Sequence, residues 1–252
     1  MELLLRHKQV LCMVHLMRVE EEYRLELRMI RFDRHMLKQI IQNGVPSGFQ
    51  NSVIAIANVF VQSNINAFGK MAMAGCGSYS KIEGFVFLPV TCFNMALTTF
   101  VSQNLGAKQY DRAKKGAWFG ILCSMSIAEL IGFAIYAVSP VLIAAFNSDP
   151  EVVHYGVMQA KTISLFYCVL AFSHCIAAVL RGSGNASVPM VVMLCVWCLI
   201  RVSYITVAVH FIPDIRMVFW AYPLTWSISS VIFLYLFLRG KWIYGFEKNA
   251  KT

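Results

Sequence analysis

The residues best suited to chemistry in this chain are polar side chains set among apolar ones. At about 100° per residue, Ser47, Asn51, Asn58 and Gln62 fall within an arc of roughly 60° on one helix, with Phe49, Val53, Ile56 and Phe60 opposite. Thr91, Asn94 and Thr98 repeat the pattern on a second stretch, and Glu83 lies on their side nearer its start. Stripes of amides and hydroxyls hydrogen-bond: they join neighbouring helices, or they line a path that water, an ion or a small molecule can enter. Two charges, Glu129 and Arg201, interrupt otherwise charge-free stretches. Counted inward from Gly116 and Val188, each lies about 20 Å along its helix. Equal depth allows a buried ion pair; the alternative is a carboxylate that couples to a cation or proton. His174, one helical face with Arg181, is a candidate for a proton path, against the plainer role of a hydrogen-bonded packing residue.

These residues form no catalytic set. The sequence holds no H-E-x-x-H, no P-loop and no G-x-S-x-G. Ser173 and His174 are adjacent and project from different helix faces, so they do not make a nucleophile and its base. The C-x-x-C at Cys195 and Cys198 falls inside an apolar helix with no partner pair, which reads as packing rather than as a metal or redox site.

The elements that must carry these stripes follow from composition. Hydrophobic residues make up 58% of the 252 and charged residues 14%, where a soluble domain has about 45–50% and 25%. A membrane span needs roughly 20 largely apolar residues. Charge-free stretches of that order run from Gln39 to Gly69, Gly84 to Ala107, Thr162 to Leu180 and Met217 to Leu238. Gly116 to Ser148 and Gly182 to Pro213 are longer and carry one charge each. The expected fold is all-α: a polytopic bundle of six transmembrane helices over residues 39–240, preceded by a cytoplasmic segment 1–38 and followed by a cytoplasmic tail 241–252. A soluble single-core protein and a disordered tail are excluded. Pro89 should kink its helix unless it lies in the first turn.

The net charge of +9 points to topology rather than to nucleic acid. The basic residues of the N-terminal segment, of the connection holding Lys108, Arg112, Lys114 and Lys115, of Arg181, and of the C-terminal tail share one side. Lys70, Lys81, Lys161 and Arg216 fall on the other. The positive-inside rule then puts both termini in the cytoplasm, and the expected location is the cell's inner (plasma) membrane.

Several motifs, in order, resemble the C-terminal half of the multidrug and toxic compound extrusion (MATE) family. They are Gly44-Val-Pro-Ser-Gly-Phe-Gln50, Asn66-Ala-Phe-Gly69, Lys81-Ile-Glu-Gly-Phe85, Gln103-Asn-Leu-Gly-Ala107 with Arg112-Ala113, and Arg181-Gly-Ser-Gly184. The resemblance runs from about Val10 to Lys241, with Val10 to Met17 similar to the tail of a preceding span. It implies one lobe of a two-lobed antiporter that exports small cationic or amphipathic compounds against inward Na⁺ or H⁺. It implies no cofactor other than that ion, and an N-terminal lobe and the lipid bilayer as partners. Ser47, Asn51, Asn58, Gln62, Thr91, Asn94 and Thr98 are then expected to line the cavity. Some branches of the family carry a coupling glutamate in the first span of this lobe, and none stands between Asn51 and Gln62. A lobe without its partner is expected to insert but not to carry out coupled exchange. The alternatives are a lobe similar to the lipid-linked oligosaccharide flippases, whose pyrophosphate headgroups call for a more cationic cavity than these nearly uncharged faces, and a non-transporting membrane remnant or assembly partner.

Overall fold

The computed structural model describes residues 10–11, 13–15, 17–18, 31 and 33–244, with the side chains at 35, 39, 43, 46, 47 and 241 outside the description. The chain divides into two compact units, Met1–Gln42 and Asn43–Thr252. In the first, the described residues between 10 and 18 are helical and exposed. Residues 19–30 of the cytoplasmic segment expected over 1–38 lie outside the described residues. Asp33 caps the next helix, its carboxylate accepting from the Met36 amide at 3.1 Å.

The second unit is built, among its described residues, from helices alone: α1 (Arg34–Ala67, in this unit from Asn43 on), α2 (Lys70–Gly106), α3 (Tyr110–Ala144), α4 (Pro150–Gly182), α5 (Ser187–Phe211) and α6 (Ile215–Leu238). Five of these, α2 to α6, are long and apolar enough to cross a membrane. The expected count was six. α1 has the length, but the amides and hydroxyls of its polar stripe dilute its hydropathy, so the count of six is approximate.

Charge gaps also misplaced some helix starts. α2 begins at Lys70 rather than near Gly84, joined to α1 through Phe68 and Gly69, whose φ of 104° suits a residue without a Cβ. Lys81 is therefore part of a helix and not of a connection, its ammonium lying 5.2 Å from the centre of the Phe146 ring. Pro89 lies deep inside α2, and Pro140 and Pro223 inside α3 and α6; all three helices continue through them. At the starts of α4 and α6 the caps are conventional. Asp149 accepts from the Glu151 amide with Pro150 following it, and Asp214 accepts from the Arg216 amide at 2.8 Å.

α2 packs on α3 and α4, α3 on α4, α4 on α6, and α5 on α6. Three apolar clusters follow one another: one around Val101, Ala117, Ile176 and Phe233, one around Val86, Ala128, Tyr167 and Leu170, and one around Ala72, Ile205, Val218 and Phe219. α1 joins the last of these through Val61 and Ile65. Lipid is as apolar as leucine, so helices in a membrane associate by close packing, which small residues permit. Gly75 of α2 and Gly156 of α4 meet in this way: a Cβ on Gly75 would stand 2.5 Å from the Val152 carbonyl oxygen, and one on Gly156 2.9 Å from that of Gly75. Gly132 of α3 sits against the Ser164 carbonyl of α4 in the same manner.

Because backbone rather than a flexible side chain meets the added atoms, Gly75→Leu should push α2 and α4 apart, at a cost of about 1–3 kcal/mol or more. The expected result is a smaller monodisperse fraction in mild detergent by size-exclusion chromatography. Gly77→Leu is the control, since nothing lies within 4 Å of a Cβ there.

Candidate functional site

α1 does not pack flush against the rest of the bundle, and the space beside it holds two adjoining cavities. The first, of about 260 Å³, is lined by Ile54, Asn58, Val61 and Gln62 of α1, Ser80, Glu83 and Phe87 of α2, Trp197 and Arg201 of α5, and Tyr222 and Trp226 of α6. The second, of about 410 Å³, shares Ile54, Asn58, Phe87 and Trp197 and adds Gln50, Asn51, His174, Arg181 and Met193. The second is in the size range of sites for small molecules, about 300–1,000 Å³, and the first is just below it.

Arg201 organises the first cavity. Only 2% of its surface is exposed. Its Nε and Nη2 donate to Thr225 Oγ1 at 3.3 and 2.9 Å. The guanidinium carbon lies 4.9 Å from the Trp197 ring centre and 4.7 Å from that of Tyr222, so the cation is held between two aromatic faces. Glu83 and Arg201 act on one another electrostatically without touching: among the described residues the ion pair within 4.0 Å is Arg216 with Asp214 at 3.9 Å. The local backbone helps to place Arg201. Residues Leu194–Ile200 form a π-helical stretch, which shifts the register of α5 just before Arg201 and puts Trp197 in the shared wall.

In the second cavity the His174 ring stands edge-on to Trp197, centroids 5.3 Å apart, and to Phe87 at 6.3 Å. Its Nδ1 lies 3.4 Å from Asn94 Nδ2, while its Nε2 is buried without a partner. Arg181 makes no side-chain hydrogen bond and no ion pair with any described residue.

The sequence-derived candidates separate into two groups. Asn51, Asn58 and Gln62 line the cavities; Gln62 also donates to Asn66 at 2.8 Å, and the Ser47 side chain lies outside the described residues. The α2 stripe behaves otherwise. Thr91 is exposed and donates back to the Phe87 and Leu88 carbonyls, and Thr98 donates to the Asn94 carbonyl at 2.8 Å and lies 3.2 Å from that of Ala178. These hydroxyls are satisfied by backbone, and Asn94 reaches the cavity only through His174. Glu129 and Arg201 are not brought together. Glu129 Oε2 accepts from the Cys168 backbone N–H at 2.9 Å, just past the 3₁₀ turn Ser164–Phe166 that interrupts α4. Equal depth did not imply facing sides.

Among the lining residues that sequence reasoning missed are Phe87, Arg181, Trp197, Tyr222 and Trp226. A signal existed: Trp197 and Arg201, like Tyr222 and Trp226, are four residues apart and share a helix face.

The family model MatE matches residues 46–207. The chain belongs to the MatE family. MatE proteins are membrane transporters and not enzymes, and the chain is one helical lobe of that kind. It is 26% identical over 236 residues to the probable multidrug resistance protein NorM of Thermotoga maritima, covering 91% of this chain and 49% of that protein. It is 23% identical to the probable multidrug resistance protein YoeA of Bacillus subtilis, over 81% of this chain and 44% of that one. It is 21% identical to the FAD transporter of Shewanella oneidensis, over 77% and 43%. The MatE fold is seen in a solved MATE structure in the straight conformation, with a TM-score of 0.83 at 18% identity over 95% of this chain and 54% of that one. The chain spans about half the length of the curated relatives it matches.

Since Glu129 and Arg201 share no partner, their losses should add. Glu129→Ala, which orphans the Cys168 N–H, and Arg201→Gln should each lower unfolding stability in detergent by about 1–3 kcal/mol. The double variant should equal their sum within about 0.5 kcal/mol. Recovery in the double variant would mean that the two charges do pair.

Proposed function

We propose that the chain forms one lobe of a two-lobed secondary antiporter that moves amphipathic small molecules out of the cell against inward Na⁺ or H⁺. The observation that carries this reading is the pair of joined cavities beside α1, where the Glu83 carboxylate, the Arg201 guanidinium, amides and four aromatic rings converge at membrane depth, with Arg181 at the end of α4. Such groups are expensive in hydrocarbon unless they line a wet or ligand-filled space. Binding energy would come from the rings and amides, with Glu83 the carboxylate placed to exchange a cation or proton while Arg201 faces it. Transport would follow alternating access, one lobe rocking against its partner.

Of the two substrate classes that the resemblance implies, the aromatic lining favours the amphipathic one. In the proposed topology the basic connections at Lys108 to Lys115 and Arg181 face the cytoplasm, as do both termini.

In a background with the native cysteines replaced, Asn58→Cys and Gln62→Cys should react with a membrane-impermeant maleimide. Phe60→Cys, on the apolar side of α1 and 54% exposed, should not. Equal reactivity at all three, or none at the first two, would overturn the cavity assignment.

Half of a rocking pair cannot alternate by itself. The purified chain in proteoliposomes with a Na⁺ or H⁺ gradient should take up an amphipathic dye no faster than empty liposomes. Gradient-driven uptake that stops when the gradient is collapsed would overturn that reading.

A further inference from the structure

We infer that the cavities beside α1 bind an organic anion carried on an aromatic body, rather than a cation; this rests on the reading of these cavities as the substrate site. The fixed charges on their walls are Arg181 and Arg201 against Glu83. Glu83 shares the first cavity with Arg201, one charge of each sign. Arg181 has no counterpart: the second cavity is lined by no carboxylate, and its guanidinium has no hydrogen-bond or ion-pair partner among the described residues. A guanidinium presents a fork of donors that matches carboxylate, sulfonate or phosphate oxygens.

The unpaired polar atoms around the rings add to the same picture. Trp226 Nε1, a donor only, is buried in the wall of the first cavity without an acceptor. His174 Nε2 is likewise unpartnered at the second, where its tautomer can donate. Between them, Trp197 and Phe87 flank both cavities and offer faces to a flat apolar ring. A cation placed there would meet Arg181 and have only Glu83, which shares its cavity with Arg201, to answer it.

The test uses the full chain in phosphatidylcholine nanodiscs, titrated calorimetrically with 1-naphthalenesulfonate and with its cationic counterpart 1-naphthylmethylammonium. The sulfonate should bind saturably and about tenfold tighter than the ammonium or better. Arg181→Gln should lower sulfonate affinity about tenfold with its unfolding temperature unchanged, and Arg181→Lys should keep part of it. The sulfonate-against-ammonium comparison needs no variant and decides the matter even if Arg181→Gln fails to fold.

Tighter or equal binding of the ammonium would overturn the anion assignment while leaving the cavity as a substrate site, and so would an Arg181→Gln variant with undiminished affinity. If discs containing phosphatidylglycerol abolish sulfonate binding, Arg181 serves an anionic lipid headgroup and the assignment also falls. Saturable binding of neither probe would overturn both this inference and the substrate-site reading beneath it.

Discussion

A guanidinium at membrane depth has to be solvated by protein, because the hydrocarbon around it cannot do so. Arg201 meets that demand with Thr225 and Tyr222 from α6, Trp197 from its own helix and Glu83 from α2 across the cavity. Satisfying one charge thus ties three helices around one space. The gain in stability is small at best: a ring under a desolvated cation is worth about 2 kcal/mol, and stripping the cation of water costs several. What the arrangement supplies is placement. Two rings and a carboxylate end up facing the same volume, and α1 closes it.

Glu129 answers the same constraint differently. Its carboxylate is used on a backbone donor, the Cys168 N–H, beside a 3₁₀ turn that leaves α4 irregular. Gly132 approaches the Ser164 carbonyl of that turn from the same helix, α3. The two deepest charges named from sequence therefore serve separate ends. One fixes a backbone irregularity between α3 and α4, and the other builds a cavity between α2, α5 and α6.

The helical fold was legible in the sequence, because long apolar stretches admit little else. So was the polar side of α1, since amides at spacings of four and seven residues leave little doubt about a shared face. The α2 stripe misled for a chemical reason. A threonine in a helix can return its hydroxyl to the carbonyl one turn back, as Thr91 and Thr98 do, so a stripe of threonines need not line anything. Asparagine can do the same, as Asn64 and Asn104 do, whereas Asn51, Asn58 and Gln62 are the stripe residues that reach the cavities. Depth along a helix is also readable from sequence, but rotation about its axis is not when a helix changes type partway. The π stretch of α5 and the 3₁₀ turn of α4 leave no mark in the residues that form them. For that reason the partners of Arg201 and Glu129 required coordinates.

α1 is the element on which the wall depends and the one with the weakest claim to a stable place in lipid. Its apolar side, with Phe49, Ile56 and Phe60 more than half exposed, suits hydrocarbon. Its other side exposes Asn51, Asn58 and Gln62, and an amide without a partner costs a few kcal/mol in an apolar medium. It packs on the bundle near its end, through Val61 and Ile65, and at Gln50, whose amide donates to the Met193 sulfur at 2.8 Å, and between these it borders the cavities. Gln62 is met in part by Asn66, and the two remaining amides cost about as much as two buried aliphatic side chains recover, at about 1.5–3 kcal/mol each. The polar edge of α1 therefore has to meet water, a bound ligand or another polar protein surface. The cavities exist because α1 is held away from its neighbours, and the same separation keeps its amides wet.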